Sequence, residues 1–200
     1  MASIPTSAAR QRAIDRIIEV MQAEYENEIA ATVTEFEQTS GQLDDLYMPA
    51  PGSDAYFYHP DDPDSDNAEP VPHPVAVFFV ADSPRQLRTT GSGGPNFKIE
   101  YRGFQLNVIV MIRKEPNEPI TRNGEALSDN GVLKLRAEIY TGALINCVSK
   151  YACSSNEIHN IIMQDDDADL TFLGESLVGV GGAVFEIEQK TKTPTKRPLP

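Results

Sequence analysis

Apolar residues recur along the first part of the chain at three- and four-residue steps. Ile14, Ile17, Ile18, Met21, Tyr25 and Ile29 fall on one stripe, the signature of an amphipathic helix. Ser7 stands where an N-cap belongs. The helix is predicted to fade after Ala31, where Thr32, Val33 and Thr34 are β-branched, with Gly41 as the stop if it runs further. The period then changes. In Val75–Ala81 both alternating sets are apolar, which predicts a strand covered on both faces. Phe97, Ile99 and Tyr101 alternate with charged residues. Beyond Gly103, the set Phe104, Leu106, Val108, Val110 and Ile112 alternates with a second set. One long bent strand or two shorter ones fit equally, with Gly103 marking a bulge or bend. Helical spacing returns over about Val132–Tyr151, with Asp129 or Asn130 as cap. Leu170 and Phe172 read as a short strand. Leu177–Thr191 reads as a last strand, with a bulge or turn at Gly179, Gly181 and Gly182.

Between these elements lie segments without periodicity. Residues 39–74 carry eight acidic and no basic side chains, and seven of the fifteen prolines fall between Pro49 and Pro74. Proline fixes φ and lacks a donor, so the stretch is read as an extended arm or projecting insertion outside any sheet. Arg85–Gly94 reads as a polar connection, residues 115–131 as a second loop, and 154–169 as mixed. The tail 192–200 reads as basic and irregular. The order defines one α+β domain over residues 1–200, a mostly antiparallel sheet with helices packed on one face plus the long Pro-rich acidic arm.

Composition narrows the function. The 200 residues carry a formal net charge of −13, which argues against broad nucleic-acid binding through the surface field. No apolar run approaches the length of a membrane span, and MASIPTSAARQR lacks the apolar core of a secretory signal. Cys147 and Cys153, held about 9 Å apart by helical rise, are expected as free thiols. The triplet Asp62, Asp64 and Asp66 opens like a calcium loop. Asn67 then replaces the turn glycine and His73 the closing glutamate, so a solvated acidic loop is the plainer reading. Asp165–Asp167 are consecutive, and their carboxylates diverge. His59, His73 and His159 show no ligand spacing. No acid–base pair, activated nucleophile or phosphate-binding loop is present in the sequence, so no cofactor and no catalytic residue is assigned and the chain is read as a non-enzyme.

The closing segment Gly182-Ala-Val-Phe-Glu-Ile-Glu-Gln-Lys-Thr191 and the opening helix around Arg12–Tyr25 resemble those of the tail terminator and tail completion proteins of long-tailed bacteriophages. The resemblance covers about residues 7–35 and 75–191, and the Pro-rich stretch departs from the family's compact members. It implies a virion protein at the head–tail junction, made in the host cytoplasm. Such a subunit closes with copies of itself, most often six, into a ring that caps the tail tube. Its expected partners are the tail tube protein and the neck or connector proteins, and DNA passes through without specific binding. Six copies would carry 6 × −13 = −78 charges, which repel DNA phosphates if they line the hole. Candidate subunit contacts are Val184, Phe185 and Ile187 of the closing strand, Lys190 and Lys192 at its basic end, and the aromatic run Tyr56, Phe57 and Tyr58. A head-completion or connector protein is the nearest alternative, and a calcium-dependent binding module is the alternative from another class.

Overall fold

The computed structural model describes residues 6–40, 43–44, 57–58, 75–90, 97–113, 121–154, 158–173 and 176–194. Two α-helices, α1 (Thr6–Ser40) and α2 (Asp129–Tyr151), pack on a six-stranded, mostly antiparallel sheet, so the fold is α+β. The strands are β1 (Leu43–Asp44), β2 (Phe57–Tyr58), β3 (Val75–Ala81), β4 (Arg85–Thr90), β5 (Phe97–Arg113), β6 (Thr121–Arg122), β7 (Glu125–Ala126), β8 (Asn160–Leu173) and β9 (Ser176–Pro194). The main sheet runs β2-β3-β5-β9-β8, with β4 also paired to β5. Its spine is the antiparallel pair β5–β9, in register from Phe97↔Pro194 to Arg113↔Val178. The choice between one strand and two is thereby resolved: β5 is a single strand through Gly103.

Strands β3 and β4 lie end to end along the same edge of β5, interrupted at residues 82–84. Pro84 stands in that break, where a missing donor costs the ladder nothing. The expected polar connection at Arg85–Gly94 is therefore partly strand. Its polar side chains are those of an edge position, which hydrophobic periodicity does not mark. Strand β2 adds to β3 in parallel. Together with β1, which pairs β6, it shows that parts of the 39–74 stretch do join sheets, contrary to the sequence reading. Leu43–Asp44 and Phe57–Tyr58 contain no proline, so the objection does not apply to them. Apart from these pairs and the last residues of α1, that stretch lies outside the described residues. The hairpin β6–β7 turns on Asn123 (φ 54°) and Gly124 (φ 80°), the two left-handed positions a type I′ turn needs.

Helix α1 continues nine residues beyond the predicted fade at Ala31, to Ser40. Val33 and Phe36 pack against the core, and the Thr32 and Thr34 hydroxyls donate back to the Glu28 and Ala30 carbonyls at 2.8 and 2.9 Å. Tertiary packing of Val33 and Phe36 outweighs the propensity cost, and the back-bonds only satisfy the two hydroxyls. Helix α2 is capped by Ser128, whose Oγ accepts from the Gly131 amide at 3.2 Å, and not by Asp129 or Asn130, which already lie inside its first turn.

The core lies between the helices and one face of the sheet. Phe104, Leu106, Val108, Val110 and Ile112 of β5 are buried, as are Ala183, Phe185 and Ile187 opposite them on β9. Gly179 and Gly181 face α2 on the same side. The expected bulge or turn at Gly179, Gly181 and Gly182 is absent, because β5 and β9 keep unbroken register there. The first two glycines instead admit the helix: a Cβ on Gly179 would stand 2.7 Å from the Leu133 carbonyl oxygen, and one on Gly181 would collide with Thr141.

The helices are tied by buried polar contacts. Tyr25 Oη donates to the Tyr140 carbonyl at 2.9 Å, and the two rings meet edge to face. Burial, and then Tyr140, hold the Tyr25 phenol well above its ordinary 10.0. At the far end of the helix pair, the buried Glu28 carboxylate accepts from Lys150 Nζ at 2.7 Å and Tyr151 Oη at 3.1 Å. These bonds to Glu28 are the largest cause raising the Lys150 and Tyr151 pKa values. Cys147 and Cys153 are both free thiols, the first buried and the second exposed. Burial, and then Glu28, push Cys147 from 9.0 up to about 12.

All these groups bind their protons more tightly in the folded chain. Their contribution to stability is complete below the unfolded values and is lost as pH rises through the folded ones. For Cys147 the window runs from 9.0 to about 12. Urea midpoints are therefore expected to fall as pH rises above 9.0, and to fall less steeply in Glu28→Gln. A flat midpoint over that window would contradict this. In the same samples a thiol reagent should label Cys153 quickly in the folded protein, and Cys147 only on unfolding.

Candidate interaction surface

Side chains on alternate positions of β3, β5, β8 and β9 point away from the helices. The register places Phe78 and Val80, Ile109 and Met111, and Val180, Gly182 and Val184 on this open face. Val80 is 51% exposed and Ile162 on β8 is 49% exposed. The sequence expectation that β3 would be covered on both faces thus fails at Val80. Its other side, with Val75, Val77 and Phe79, is buried, and on the open side Ala76 is buried as well and Phe78 half-buried.

Strand β8 forms the far edge of the sheet. The sequence reading broke this segment into a mixed stretch and a short strand, whereas it is continuous from Asn160 to Leu173, with one register shift between Met163 and Asp165. Asp165, Asp167 and Asp169 pair with Val184, Gly182 and Val180 and so share the open face. Asp166 is directed to the other side, as the divergence of consecutive carboxylates requires. All four are exposed, and none has an ion-pair partner among the described residues. Glu186, two residues along β9 from Val184, differs: it receives Arg85 Nη2 at 3.1 Å and Gln164 Nε2 at 3.3 Å.

The three open-face carboxylates have a local task. Asp165 Oδ1 accepts from the Asp166 amide at 3.0 Å, Asp167 Oδ1 from the Ala168 amide at 2.8 Å, and Asp169 Oδ1 from the Leu170 amide at 2.8 Å. Every second amide of the central stretch is satisfied by the side chain before it. With the register shift, this blunts the edge against strand addition, because an incoming strand would find those donors occupied. Contact with this edge is left to side chains.

Between the strands lies a shallow depression of about 540 Å³. Its floor is Ile109, Val180, Gly182 and Val184, and its β8 side is the row Asp165, Asp167 and Asp169. Gly182, with no side chain, makes the hollow: a Cβ there would stand 2.9 Å from the Val108 carbonyl oxygen. An apolar floor beside carboxylates suits a group with an aliphatic stem and a cationic end.

Of the residues singled out in the sequence, Val184 lines this depression. Phe185 and Ile187 point the other way and are fully buried beneath the helices, so their side chains serve the core and are closed to a neighbour. Lys190 is exposed on the open-face register of β9. Lys192 belongs to the same strand, and Phe57 and Tyr58 form β2. Tyr56 and the acidic triplet Asp62, Asp64 and Asp66 lie outside the described residues, as do His59 and His73. His159 Nε2 stands 3.8 Å from Glu188 and its ring packs on Tyr101. Among the described residues no group of three His, Cys, Asp or Glu side chains is placed to hold a metal ion. No helix among them is long and apolar enough to cross a membrane. The carboxylate row is what the sequence reading missed; the signal available was Ile162, Asp165 and Asp167 followed by Asp169 at the period of a strand.

The chain matches no protein-family model and no curated protein at a significant level.

Proposed function

We propose that the chain is a structural subunit that closes with copies of itself into a ring, in the manner of the phage tail terminators it resembles, capping a tail tube and joining it to the neck. The observation that carries this reading is the sheet face that no helix covers among the described residues, open around Val80 and the hollow. Half-buried and exposed apolar side chains, an acid-lined hollow and an edge closed to strand addition together make a surface fitted to another folded protein. Two further features support it: the helix–strands–helix–strands order, and the packing of both helices on the opposite face, which leaves this side of the sheet without a helix among the described residues. A head-to-tail contact between identical plates uses two different patches and limits assembly by closing. In this reading the Pro-rich acidic 39–74 stretch is an arm reaching a neighbouring subunit. Deleting residues 50–72 also removes the two-residue edge strand β2; it is expected to leave the rest of the fold in place and weaken assembly, and unchanged ring formation would retire the arm.

Negative-stain electron microscopy of the purified protein, alone and with isolated tail tubes, tests the whole reading. Rings with a central hole, seated on tube ends, are expected. Binding to portal–capsid particles with none to tubes would move the subunit to the head side of the junction.

A further inference from the structure

The acidic hollow lies towards one end of β9, and Lys190 and Lys192 lie towards its other end. Strand β9 passes the depression at Gly182 and continues to Pro194, a run of about 40 Å at about 3.3 Å per residue. Along it come exposed Lys190 and then Lys192, and the sequence beyond adds Lys196 and Arg197 with no acidic residue. The same molecule cannot bring the two together. Lys196 and Arg197 lie two and three residues beyond Pro194, so even stretched back along the strand their backbone reaches about 10 Å, a quarter of the distance needed. The complement of the hollow therefore exists on every copy and is out of reach of its own hollow.

We propose that the acid-lined hollow of one copy receives the lysine-bearing end of β9 from the next copy, forming a head-to-tail contact between two copies of this chain. This deepens the ring reading and rests on it. The lysine stems lie over Ile109, Val180 and Val184, and their ammonium groups meet Asp165, Asp167 and Asp169. The occupant is held by side chains, because the aspartates already occupy the amides of residues 166, 168 and 170. The exposed Ile162, which shares the open face next to the row, widens the contact with apolar surface. The two patches differ, so each copy uses one of each, as a closed ring requires.

A charge-swap experiment tests this. Variant one carries Asp165→Lys, Asp167→Lys and Asp169→Lys; variant two carries Lys190→Glu and Lys192→Glu. A third, with Asp165→Asn, Asp167→Asn and Asp169→Asn, removes charge while keeping a carbonyl for each amide. Circular dichroism confirms that each is folded, and sedimentation velocity reads association. Wild type is expected to associate, and less at high salt. Variants one and two should each associate about a hundredfold or more less tightly, since like charges then face each other. The asparagine variant should fall between them and wild type and lose its salt dependence. Mixed in equal amounts, variants one and two should associate again as alternating copies. If all variants associate as wild type does, or the mixture stays apart, this contact is overturned while the ring survives on another. If wild type itself never associates, the ring reading falls and this contact falls with it.

Discussion

Gly181→Ala is expected to destabilise the fold by about 3 kcal/mol or more, at or beyond the top of the usual range for overpacking a core. The added methyl would run into Thr141 and stand 3.1 Å from the Ala137 carbonyl oxygen. Neither neighbour gives way easily. Thr141 is buried on a rigid helix, and the Ala137 carbonyl is part of that helix's backbone. Helix α2 would have to lift from β9, separating a face that includes Leu133, Ala137 and Leu144 from the sheet. Thr141→Ala alone should cost little, since its Oγ1 has no hydrogen-bond partner among the described residues. Combined with Gly181→Ala it should recover about 1–2 kcal/mol, a coupling of the size found for residues in direct contact. Urea unfolding of the two single variants and the double gives this cycle. Strict additivity would mean that the helix does not approach β9 here as described.

Phe185→Ala is expected to cost about 3–5 kcal/mol, because the ring is fully buried between the sheet and the helices. Its neighbour Val184 points to the opposite face, into the hollow. Val184→Ala should change stability by less than about 1 kcal/mol and should instead weaken self-association. The pair separates core from surface within two adjacent residues. A one-residue slip of β9 would exchange the two outcomes, so equal or inverted effects would refute the register. Denaturant midpoints and sedimentation velocity, run on both variants, read the two quantities independently.

These two experiments fall where the sequence was hardest to read. The stripe from Ile14 to Ile29 and the alternation from Phe104 to Ile112 were legible, because each buries one face against a large, uniform apolar partner. The α+β arrangement follows from them. Strand β8 was obscured by Asp165–Asp167, which ordinarily signal a loop. Here the residues sit on an edge, and their carboxylates satisfy the backbone amides that face no neighbouring strand. Gly179 and Gly181 read as a bulge because the reason for them, the backbone of α2, lies some forty residues earlier in the chain. Strand β4 has too few apolar side chains to show a period. For the surface, Val184, Phe185 and Ile187 were grouped by their place in the closing strand, and the period of two then divides them between solvent and core. The hollow itself could not be read, since it depends on Gly182 meeting Asp167 across a register that only the folded sheet defines.

Native mass spectrometry of the purified wild-type chain bears most directly on the claim that this protein works by closing on itself. Ring closure predicts one discrete assembly at a whole-number multiple of 22.0 kDa, six times that mass for a hexamer. It should be lost in the aspartate-to-lysine variant and regained on mixing with its lysine-to-glutamate complement. A single peak at 22.0 kDa under all concentrations, with tail tubes present or absent, would contradict it.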